Sequence, residues 1–166
     1  MDIDHPEIDQ RWDAVARSES EAQRLDRNWS SLLQELRVTQ TGVQLLTGFL
    51  LTLPFQPRFA SLSTGLHDVY LATVVSSLAA TVLLVAPVGM HRMLFRQHKL
   101  RTLVSAAHRC AYAGLLLLGT ALAGVAVVVF GTVLGMTAAV LAGAVTVAAM
   151  LAAWVGYPLW MRRVGH

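Results

Sequence analysis

Charge is scarce in this 166-residue chain: 14% of its residues are charged and 55% are hydrophobic. A soluble domain of this length needs more charge to keep its surface wet, so composition excludes that class. Cysteine is rarer still. Cys110 stands alone, which rules out an intrachain disulfide and any cysteine-based metal site. The chain lacks Gly-x-Ser-x-Gly, His-Glu-x-x-His, a Walker-type loop and any carboxylate pair inside an apolar stretch. An enzyme, a cofactor site or a metal centre is therefore not expected. Dense Lys/Arg runs interleaved with aromatics are also missing, so the net charge of +3 does not point to nucleic acid. The first thirty residues are polar and acidic and read as carrying no signal peptide, which leaves insertion to the apolar segments themselves.

What is present is hydrophobicity grouped into blocks near the length of a bilayer crossing, roughly 20 residues for a ~30 Å core. The pattern predicts an all-α fold, a four-transmembrane-helix bundle with an N-terminal amphipathic interfacial helix. Residues 1–17 are polar and aperiodic and read as a disordered cytoplasmic tail, with residues 18–166 forming a single membrane domain. Ser18-Glu19-Ser20-Glu21 carries a capping-box pattern, and Leu25, Trp29, Leu32 and Leu36 come after it at helical spacing. This gives an amphipathic helix over 18–33, free to run on into the first span, with Trp29 at headgroup level. Spans are expected at about 34–53, 69–90, 110–130 and 134–157. Pro54 and Pro57 stop the first, Pro87 closes the second, a minimal turn at Gly131-Thr132 separates the last two, and Pro158 ends the fourth.

The placement of basic residues sets the topology. Arg11, Arg17, Arg24, Arg27 and Arg37 precede or open the first span, and Arg92, Arg96, Lys99, Arg101 and Arg109 lie in or beside the loop over 91–109. Arg162 and Arg163 close the chain, while Arg58 alone occupies the first outer loop. Both termini are therefore expected on the cytoplasmic side of the inner membrane, with Trp154, Tyr157 and Trp160 as an aromatic girdle there. The last two spans look structural: Gly135, Ala139 and Gly143 form a small-residue stripe suited to close helix approach.

The first span is different because it is polar. At 3.6 residues per turn, Arg37, Gln40, Thr41, Gln44 and Thr47 fall on one face with Ser30, Gln34, Gly48 and Thr52, spread over about 140°. Such a face either hydrogen-bonds inside the bundle or lines water as an ion path. Four helices enclose little space, so a path requires a homo-oligomer with this helix around its axis. Glu35 lies on the opposite side, either as a gate or proton-linked carboxylate or as an anchor paired with Arg92, Arg96 or Arg109. His91, Arg92, Arg96, Lys99, Arg101 and Arg109 form a cytoplasmic basic cluster suited to anionic lipid headgroups.

Two blocks carry a resemblance: Ala22 to Phe59, with ELRVTQTGVQ at its centre, and Ala86 to Lys99, with His91-Arg92-x-x-Phe95-Arg96. Across about residues 20–160 the chain resembles an uncharacterised family of small four-span bacterial membrane proteins, seen mainly in actinobacteria and sometimes labelled sodium:proton antiporters. The resemblance implies the four-span architecture. Proton-coupled cation exchange generally uses acidic residues at the midplane, and the spans hold none there. The leading expectation is an ion channel or ion-transport protein, with ions, the lipid bilayer, anionic lipids and further copies of itself as partners. A non-conducting accessory or lipid-organising protein is the alternative, and a proton-coupled exchanger the second.

Overall fold

The computed structural model describes residues 21–94 and 100–164, and every regular element among them is helical. The tail expected over 1–17 lies outside them. Helix α1 is Glu21–Thr52, α2 is Thr64–Leu94, α3 is Leu100–Leu134, α4 is Met136–Leu151 and α5 is Tyr157–Val164. Thr64–Met90, Val104–Leu134 and Met136–Arg163 are each long and apolar enough to cross a membrane. The chain is thus a helical protein built to suit a bilayer. Helix α1 is about 48 Å long at 1.5 Å per residue, but its polar residues keep it out of that apolar class.

The amphipathic segment and the first span are one unbroken helix. Along it, Trp29, Leu36, Val43 and Leu50 are buried at strict seven-residue intervals, which is the seam a helix presents to neighbours nearly parallel to it. The four layers meet three clusters. Trp29 packs with Ala107, Leu36 and Val43 with Ala80, Leu84 and Ala111, and Leu50 with Tyr70 and Val128. The helices alternate in direction, with α3 packed on both α2 and α4 and with α1 laid more lightly against α2 and α3.

Several boundaries differ from those read in the sequence, and each has a local cause. Pro87 does not close the second span; it lies inside α2, which continues to Leu94 and begins five residues earlier than expected, taking in Asp68. Apolar helices keep an internal proline when neighbouring side chains satisfy the carbonyls it disturbs. The loop over 91–109 is largely helical, because α2 and α3 extend into it from either side. The turn between the last spans is not at Gly131-Thr132 but at Gly135, whose φ of 91° suits a residue without Cβ. Gly135 is therefore the turn of the hairpin, and only Ala139 and Gly143 of the expected stripe are buried. Pro158 does not end the chain's last helix either. The wide π-helical turn Ala152–Gly156 precedes it, and α5 carries the helix on to Val164.

Glycines set how closely the long helices approach. A Cβ on Gly114 would stand 2.8 Å from Leu84 Cγ, and one on Gly124 would collide with Thr73 Oγ1. Both fix the α2–α3 crossing. Gly124→Leu is expected to destabilise the bundle by about 1–3 kcal/mol through overpacking. Gly42→Ala, where a Cβ meets nothing within 4 Å, should be near neutral. Unfolding of both variants in bicelles checks the contrast.

Candidate functional site

Among the described residues, hydrogen bonds at three levels tie α1 to α2, and one of them answers a proline. Pro54 has no N–H to offer the carbonyl of Leu50, four residues back, and Tyr70 donates its hydroxyl to that oxygen at 2.9 Å. Phe59 holds the Tyr70 ring edge-on at a centroid distance of 4.9 Å. Gln40 Nε2 donates to the Leu84 carbonyl at 2.6 Å, one residue past Leu83, whose carbonyl is the one that Pro87 leaves without an N–H. Between them, Thr47 and Ser77 share a buried hydroxyl contact of 2.6 Å, with Thr47 also bonded to the Val43 carbonyl.

These contacts split the predicted polar face. Gln40 and Thr47 belong to the interior of the bundle, whereas Arg37, Thr41 and Gln44 are exposed. Thr41 bonds only to its own helix, at the Arg37 carbonyl. The exposed set extends as Ser30, Gln34, Arg37, Thr41, Gln44 and Gly48, at alternating steps of four and three residues. Gly48 is open, with nothing within 4 Å of a Cβ placed there. Helix α1 thus has three faces. One is the buried seam, one is this polar line, and the third carries the exposed apolar side chains Val38, Leu45 and Phe49.

The contacts also fix depth. Pairing Leu50 with Tyr70, Thr47 with Ser77 and Gln40 with Leu84 runs α1 antiparallel to α2. Continued toward the N-terminus, that register sets Arg37 beside the Pro87 turn of α2, inside the apolar stretch Thr64–Met90. Gln40, Thr41, Gln44 and Thr47 lie deeper still.

Glu35 is exposed on the far side of α1, where its carboxylate accepts from Ser31 Oγ at 3.4 Å. Among the described residues it does not pair with Arg109, which is exposed on α3. Of the remaining cluster, His91 and Arg92 are in the last turn of α2 and Arg101 is in the first turn of α3. Their side chains, and all of Arg96 and Lys99, lie outside the described residues. Tyr70 does not stand out in the sequence; the available signal is Pro54, which leaves an acceptor without a backbone donor.

The chain belongs to a family of unknown function, DUF6328, whose model matches residues 18–158. The match takes in both motif blocks. No curated protein and no solved structure matches the chain significantly.

The division of the polar face has a measurable signature. Thr47→Val and Ser77→Ala should each lower stability, and their double-mutant cycle in bicelles should show coupling of about 0.6–1.7 kcal/mol. Gln44→Ala, on the exposed line, should leave unfolding of the isolated protomer unchanged within about 0.5 kcal/mol.

Proposed function

We propose that this protein is a four-span ion-transport protein of the bacterial inner membrane, working as a homo-oligomer with both termini cytoplasmic. Its path is lined by Arg37, Thr41 and Gln44 of α1, and it favours anions. The observation that carries this reading is the exposed polar line at the depth of the apolar segment of α2. Arg37 is level with Pro87, near one end of that segment, while Thr41 and Gln44 lie deeper, where an amide facing lipid is costly. Protein or water must cover such a line.

Its spacing favours copies of the same helix. Alternating steps of four and three make a seven-residue repeat, which keeps the line straight along a left-handed supercoil, and the open Gly48 permits close approach. In a ring of such helices the Arg37 side chains face one another across the axis. Between Ser30 and Gly48 no acid shares their face, since Glu35 lies about 160° away around the helix. A dry interface would leave those guanidiniums uncompensated, whereas a hydrated path supplies water and mobile anions. Gln40 and Thr47, spent on α2, contribute rigidity in place of lining. The proton-exchange reading has less support, because Glu35 lies away from the line.

The reading is tested with purified protein in liposomes. Chloride flux should exceed sodium flux, and Arg37→Gln should lower the anion-to-cation ratio about fivefold, the size of a ~1 kcal/mol Coulomb term in water at ~4 Å. Gln44→Cys in a Cys110→Ser background should form interprotomer disulfides. A monomer without flux sinks the proposal and leaves the non-conducting, lipid-organising alternative.

A further inference from the structure

A second feature lies on the other side of the bundle, away from α1. An apolar cleft of about 560 Å³ opens between α3 and the α4–α5 helix, lined by Tyr112, Leu116, Gly119, Thr120, Met150 and Trp154 among others. Its floor is Gly119, where a Cβ would overlap the Met150 methyl and stand 3.2 Å from the Trp154 ring. Its rim is open: Tyr112, Leu116, Leu151 and Trp154 are all substantially exposed. Along α3 the lining runs from Tyr112 to Ala123, about 17 Å of helix. That is close to one leaflet, half of a ~30 Å hydrocarbon core.

One end of the cleft is charged. Gly131 faces Ala139, Gly143 faces Val127 and Gly119 faces Met150, which sets a single antiparallel register for the pair. Traced outward from Gly119 and Met150, it brings Arg109 level with residues 160–162. Arg109 is on the face of α3 that carries Tyr112, Leu116 and Thr120, at steps of three and four residues. Arg162 comes seven positions after Val155, another lining residue, and so keeps to its face. Both arginines are exposed, and neither is paired with another described residue. Tyr157 and Trp160 stack at 6.1 Å beside them, the amphipathic aromatics typical of headgroup level. The wide turn Ala152–Gly156 lies in the cleft wall and presents Trp154 to it.

We infer that this cleft is a binding site for one phospholipid, with an acyl chain lying along Tyr112–Ala123 and an anionic headgroup held between Arg109 and Arg162. The apolar length selects a chain of leaflet depth and the two guanidiniums select a negative headgroup. A zwitterionic lipid can fill the cleft but leaves the arginines without a net countercharge. The inference goes beyond ion transport and does not depend on α1 conducting, since lipid binding is read without flux.

Full-length protein in which Trp154 is the remaining tryptophan (Trp12, Trp29 and Trp160 replaced by Phe) is titrated in mixed micelles with lipids brominated on their acyl chains. Brominated phosphatidylglycerol should quench Trp154 saturably and at lower mole fraction than brominated phosphatidylcholine. Arg109→Gln and Arg162→Gln should each weaken the phosphatidylglycerol site about fivefold, with phosphatidylcholine unaffected. Ala123→Phe, which fills the deep end, should weaken both lipids. The arginine variants are surface changes, so they decide the matter even where the filled variant does not fold. Equal quenching by the two lipids, or no effect of either arginine, overturns the inference. So does full competition by soluble glycerol phosphate, which would make the site one for a free phosphate group.

Discussion

A backbone carbonyl deprived of its helical N–H has no water to turn to inside a bilayer, and this constraint organises the contact between α1 and α2. Tyr70 reaches the Leu50 carbonyl that Pro54 leaves without a donor, and Gln40 reaches Leu84, three residues before Pro87. Thr47 and Ser77 meet halfway between. The seam of Trp29, Leu36, Val43 and Leu50 supplies bulk contact, but apolar packing alone discriminates poorly when lipid tails are equally apolar. The hydrogen bonds set the axial register. Register in turn decides how deep Arg37, Thr41 and Gln44 are carried.

The polar residues of α1 therefore do two jobs on adjoining faces. Gln40 and Thr47 hold the helix in place, and the exposed line beside them is left available. A helix whose polar groups were all used inside its bundle would have nothing to offer a second copy. One with none used inside would have little to hold it against α2. Glu35, on the far side near the end of the membrane-level stretch, takes no part in either contact.

Much of this is legible in the sequence. The four long helices, the continuity of α1 and the face shared by Arg37, Gln40, Thr41, Gln44 and Thr47 all come from helical periodicity. The division of that face does not, because it depends on which acceptors α2 presents, and those are tertiary. Prolines are the other weak point. Pro87 and Pro158 read as stops, as in water, yet both lie within helices. Local chemistry also misplaces the final turn, where a positive φ at Gly135 outweighs the Gly131-Thr132 pair. The cleft beside Arg109 is invisible in the sequence because its walls come from α3 and α4, and only their register brings Arg109 and Arg162 level.

The single-residue connection at Gly135 bears on how such a chain enters a bilayer. Leu134 ends one apolar helix and Met136 begins the next, so α3 and α4 can enter together as a hairpin with almost no hydrophilic cargo to carry across. The link between α1 and α2 is a different problem. In the proposed four-span arrangement it would take Gln56 and Arg58 through the hydrocarbon, and an arginine alone costs about 2.5–3.5 kcal/mol at the centre. With a first helix so polar, the driving force for insertion resides in the apolar helices α2, α3 and α4. Helix α1 becomes a comfortable resident only once Ser77 and Leu84 are beside it. In that arrangement biogenesis would be a matter of late recruitment, in which the first of the long helices is the last to settle.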